Sequence, residues 1–150
     1  MILRLATVCE AARERPDGRV DLIGVFNELS ATGFPAVQDR MTVVFIVEWE
    51  PGESGRLPLR ADMIDEQGRK LLTIQGHTEV DEQGTERAPA QTRLIMPLEK
   101  VVFPVAGRYR FELVAGGDAA DACSFFVGEV PAAGPDGFGP GTDPAAQGRV

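Results

Sequence analysis

A chain of 150 residues is one ordinary domain, and 43% hydrophobic with 25% charged residues is globular composition, neither disordered nor membrane-like. A net charge of -8 repels phosphate backbones and anionic lipid, which argues against a nucleic-acid or membrane binder. One His and two Cys exclude a His-rich or Cys-rich metal centre and a disulfide scaffold.

Apolar residues recur mainly with period two between turn signals, the pattern of an all-β sandwich. The first strand is expected over Ile2–Cys9. Its short apolar run, broken by Arg4 and followed by Glu10, reads as a strand and not as an export signal. Pro16-Asp17-Gly18 turns the chain. A second strand is expected over Arg19–Glu28, where alternation slips at Gly24 and predicts a bulge or a close backbone approach. Leu29–Arg40 reads as a loop. Met41–Glu50 carries the strongest strand signal: Met41, Val43, Phe45, Val47 and Trp49 share one face, and Thr42, Val44, Ile46, Glu48 and Glu50 share the other. Arg56–Ile64 follows. Pro58 lacks an amide donor, so that strand belongs at an edge or starts beyond it. Further strands are expected over Arg69–Val80, Ala90–Leu98, from Arg108 to Leu113, and Ala122–Glu129, with at most one helical turn at Asp118–Ala122. Residues 131–150 hold five Gly and four Pro with no apolar period, so they are expected to form a disordered tail beyond a folded unit of 1–130.

Residues 94–111 carry a local signature, with Gly107, Tyr109 and Phe111 spaced as Gly-x-Tyr-x-Phe. This resembles the corner before strand F of immunoglobulin-like sandwiches, where a tyrosine hydroxyl bonds back to upstream backbone. Phe111 stands where those domains carry a cysteine, so their inter-sheet disulfide is absent. Three stretches, Asp17–Phe26, Phe34–Val37 and Phe103–Phe111, resemble a bacterial family of short, functionally uncharacterised β-sandwich proteins, over about residues 2–128. The resemblance implies a compact sandwich and assigns no catalytic or binding residue. The expected fold is therefore an immunoglobulin-like antiparallel β-sandwich of seven to nine strands.

Candidate chemistry is sparse. His77 is the single histidine, on a polar strand face, and Cys9 and Cys123 are the only thiols. A Cys–His nucleophile needs the two side chains within hydrogen-bond reach. There is no Gly-x-Ser-x-Gly elbow, phosphate loop or dinucleotide fingerprint. Asp62, Asp65 and Glu66 at one hairpin, with Asp81 and Glu82 in the next connection, could meet at one tip of a sandwich and supply oxygens to Ca²⁺. They lack the spacing of a calcium loop, and acidic turns are ordinarily solvated. Arg56, Arg60, Arg69 and Lys70 form a small basic group that reads as a solvated face.

The apolar surplus is more informative. Val44 and Ile46 point away from the face expected to enter the core, and a solvated outer face should be polar there. A neighbouring segment, a second copy or a foreign partner must cover them, and the Leu29–Arg40 loop is the intramolecular candidate. The sequence thus predicts a non-catalytic cytoplasmic module for interaction or assembly, without cofactor. It predicts a homodimer with Val44 and Ile46 in the interface, with a ligand- or Ca²⁺-binding sandwich as the alternative.

Overall fold

Runs of Val, Ile, Phe and Leu at period two form strands because β-branched and aromatic side chains fit a pleated, half-buried surface. The computed structural model describes residues 1–82 and 86–131, together with the backbone of residues 148–149. In chain order the strands are β1 (Ile2–Glu14), β2 (Val20–Phe26), β3 (Glu28–Ala31), β4 (Ala36–Glu48), β5 (Gly55–Ile64), β6 (Lys70–Val80), β7 (Gln91–Phe103), β8 (Gly107–Ala115), β9 (Asp118–Glu129) and the two-residue β10 (Gly148–Arg149). One sheet has the order β2-β1-β4-β7 and the other β10-β3-β9-β8-β5-β6. They pack as a sandwich. The departure from an all-antiparallel fold is β3, which pairs parallel with β9 and with β10.

The core-facing side of β4 is the one expected. Met41, Val43, Phe45, Val47 and Trp49 are all buried and meet Met63, Phe111, Leu113 and Phe125 of the opposite sheet. Phe45 and Phe111 touch edge-on with ring centroids 6.3 Å apart, and Phe103 and Tyr109 at 4.9 Å. Such pairs add about 0.5–1.5 kcal/mol each beyond their buried area.

Several elements depart from the sequence expectation. The expected second strand divides at Asn27: β2 pairs with β1 in one sheet, while β3 crosses to the other sheet and pairs with β9. The expected loop 29–40 is therefore the end of β3, a short connection, and the start of β4. Asp118–Ala122 is strand, not a helical turn. Pro58 sits in an interior strand, between β6 and β8. Its carbonyl accepts from the Gly116 amide, so the missing N–H lies on the β8 side, where register pairing begins only at Leu59. Near Asp39 and Lys100 the alternation of β4 and β7 slips by one residue in both strands without a shift in register, and Lys100 takes φ 53° there. Ala36, Val101 and Phe103 thereby enter the core, while Val37 and Val102 are left exposed. The tail expected to be disordered lies outside the described residues, apart from Pro131 and the backbone of 148–149.

Candidate functional site

Val44 and Ile46 lie on the outer face of the first sheet. Their register neighbours are Thr7 and Leu5 on β1 and Ile95 and Arg93 on β7. Val44 is nevertheless 0% exposed, and Thr42 and Cys9 beside it are buried. The cover is the hairpin of β1 and β2. Arg93 shares a rung with Ile46 and Leu5, yet its guanidinium reaches Glu14 at 3.7 Å and lies 3.9 Å from where a Cβ on Gly18 would stand. In a straight strand Glu14 would be about 30 Å beyond Leu5, at ~3.3 Å per residue. Beyond Cys9 the hairpin therefore bends back across the outer face, as an arm.

The bend is local. Register pairing between β1 and β2 skips the Glu10–Gly24 rung, and Gly24 takes φ 64°. A Cβ there would meet the Glu10 side chain at 2.6 Å. Register is unchanged on either side, so of the two readings of Gly24 the close approach is correct and the bulge is not. The Thr42 hydroxyl donates to the Glu10 carbonyl at 3.5 Å, and the Cys9 thiol to the Ala11 carbonyl at 3.3 Å. Ala12, Val20 and Leu22 are half-buried, whereas Ile23 and Val25 are 56% and 58% exposed. The arm thus turns one apolar side inward and another outward. The Leu29–Arg40 segment lies elsewhere: Leu29–Ala31 belongs to the other sheet, Phe34 packs against the core between the sheets, and Ala36–Arg40 belongs to β4 itself.

The acidic candidates are separated, and Asp62, Asp65 and Glu66 are engaged. Asp62 faces out of β5 at 1% exposure, accepts from the Thr73 hydroxyl at 2.7 Å and pairs with Arg60 and Lys70. Burial drives its carboxyl upward, but Thr73, Lys70 and Arg60 outweigh burial and hold it below the ordinary carboxylate value. Asp65 is likewise held low against burial, by the backbone N–H groups of Arg69 and Gln67 and by the Arg69 guanidinium at 2.8 Å. Glu66 accepts from the Arg108 amide. Asp81 and Glu82 lie at the far end of β6 from Lys70. Among the described residues no three Asp, Glu, His or Cys side chains converge as metal ligands would. Of the basic group, Arg60 and Lys70 pair with Asp62 and Arg69 with Asp65, while Arg56 contacts His77 Nδ1 at 3.1 Å.

The thiols are set up for packing. Cys9 and Cys123 are both free. Burial pushes the Cys123 thiol up to about 12 and raises that of Cys9. Neither is a thiolate near neutrality, and it is the thiolate that attacks. His77 projects from the outer face of β6 and contacts Arg56.

The corner reads as its spacing predicts. The Tyr109 hydroxyl donates to the Val105 carbonyl, and the Val105 amide points back to the same oxygen at 3.4 Å. Phe111 stacks on Phe125 in the core, in place of the usual cysteine. Gly107 admits Glu66, whose Oε1 would lie 3.0 Å from a Cβ there.

Two groupings were not legible from spacing. The Met1 amine lies between Glu53 at 2.7 Å, Asp118 at 3.2 Å and Glu50 at 3.3 Å, three carboxylates distant in sequence. The Arg93–Glu14 latch joins β7 to the arm. Gly24 inside an apolar run was the single local sign of the bend.

Fold and corner together define a β-sandwich domain with an immunoglobulin-like tyrosine corner and a folded-back N-terminal arm. The chain belongs to a family of unknown function, DUF6941, whose model matches residues 4–128. No curated protein matches it. No helix among the described residues is long and apolar enough to cross a membrane.

Proposed function

We propose that this domain is a non-catalytic interaction module of the bacterial cytoplasm that associates with a second copy of itself. The observation that carries the reading is the sandwich's unclosed sheet edges. β2, β7 and β6 each pair with a strand on one side alone among the described residues. Open edges present rows of backbone donors and acceptors to another strand. A second copy is the simplest occupant, because an antiparallel edge is self-complementary under two-fold symmetry. The exposed Ile23 and Val25 add uncharged surface. Val44 has no free surface beneath the arm, so it does not itself form such a contact. The two free thiols support a reducing compartment.

Sedimentation velocity over a concentration series tests the reading. A dimer forming reversibly at micromolar concentration is expected. A monomer throughout the high micromolar range would overturn self-association.

A further inference from the structure

We infer that β6 is the edge through which two copies of the chain join, antiparallel and about a dyad at Gly76; this rests on the self-association reading above.

The sheet edges differ in how well they are blunted. β2 bends at Gly24, with φ 64°. β7 carries Pro97 and the left-handed Lys100. β3 has four residues and is followed outward by β10. From Leu72 to Val80, β6 has no proline, no positive φ and no break in register with β5. Proline, bends and short length are the usual devices that stop one edge from pairing with another. β6 lacks all three.

The backbone of β6 is aimed correctly. The Pro58 carbonyl points toward β8, so its register partner His77 turns its own N–H and C=O away from β5, to the free edge. By the same alternation Thr73, Gln75 and Glu79 do so too. Pairing centred on Gly76 sets Gln75 against the partner's His77 and Thr73 against the partner's Glu79. Those are the rungs at which outward groups on both strands can exchange bonds. Gly76 has no side chain to oppose its own copy across the dyad, where a non-hydrogen-bonded pair brings the Cα atoms to about 4.5 Å.

Charge selects the antiparallel second copy as the occupant. Arg69 and Lys70 stand at one end of β6 and Asp81 and Glu82 at the other, and all four are exposed. The centred register brings the basic end of each strand, at Arg69 and Lys70, toward the acidic end of its partner, at Asp81 and Glu82. A parallel arrangement would set like charges together. On the inner side, Ile74 lines a cavity of about 150 Å³ with Leu59, Leu94, Met96 and Leu113, at the seam between β6 and β7. A second β6 would overhang that seam.

The test is the association constant of full-length variants by sedimentation, with hydrogen exchange on the same samples. Gln75→Pro removes one outward N–H and leaves the β5 ladder intact. Glu82→Lys turns both end contacts from attraction to repulsion. Each is expected to weaken association by roughly tenfold or more. The amides of Thr73, Gln75, His77 and Glu79 should become slower to exchange as concentration rises. Ile23→Thr/Val25→Thr should leave the constant unchanged. A wild-type dimer that tolerates Glu82→Lys, with no concentration-dependent protection along β6, would overturn this interface and leave self-association standing. Loss of the dimer in Ile23→Thr/Val25→Thr alone would move the contact to the arm. A wild-type monomer would overturn both.

Discussion

Tyr109 shows how a single side chain holds a corner. Its hydroxyl is the partner of both the carbonyl and the amide of Val105, while its ring packs on Phe103 and Phe125. Removing it deletes the bond that closes the corner, so Tyr109→Phe is expected to cost about 0.5–1.5 kcal/mol in chemical denaturation. A change under ~0.5 kcal/mol would mean that the ring alone matters. Asp62 gives the pH dependence. Its folded-state value lies below the ordinary one, so the stability it contributes is present above the unfolded value and is lost as pH falls through the folded one. Asp65 acts in the same direction. Acid titration of Asp62→Asn should therefore show a shallower loss of stability than the wild type; an identical slope would remove Asp62 from the account. The spacing Gly107-x-Tyr109-x-Phe111 made the corner legible because the bond closes over four residues. The ion pairs around Asp62 were half-legible: Lys70 and Arg60 are near in sequence, but that they meet a buried carboxylate depends on strand pairing.

At the scale of the element, the arm covers Val44, while Ile46 stays half-buried. The two apolar faces of β4 were plain from alternation, and so was the need for a cover. The cover itself was not legible, because Arg93 and Glu14 are brought together by a bend whose only local sign is Gly24. A continuous alternating strand and a bent one have nearly the same pattern. The consequence is testable in stability and not in association. Val44→Thr buries a hydroxyl beneath the arm and should cost about 1–3 kcal/mol in the monomer. A neutral Val44→Thr would mean that the arm does not seal that face. Gly24→Ala places a methyl group against Glu10 and strains φ, so it should loosen the arm and speed amide exchange in residues 11–23. Unchanged exchange there would show that the bend tolerates a side chain. The Arg93–Glu14 pair is partly exposed, and its removal should cost under ~1 kcal/mol.

At the scale of the whole molecule, the fold class followed from period-two patterning and regular turns, while the sheet assignment of each strand did not. Alternation says which residues share a face; it is silent on neighbours. The crossing at Asn27 and the interior place of Pro58 both depend on long-range pairing. The same limit hid β6, whose side-chain pattern is ordinary. Its interest lies in having no neighbour on one side among the described residues and opposite charges at its two ends. The net charge of -8 opposes any association between copies, so a specific contact must place its own basic residues against acidic ones, as the two ends of β6 do in the antiparallel register. The most direct measurement is the sedimentation coefficient of the full chain and of its Glu82→Lys variant across one concentration series. The account predicts a reversible dimer for the first and a much weaker one for the second; a wild-type chain that stays monomeric, or a dimer indifferent to the charge at 82, would contradict it.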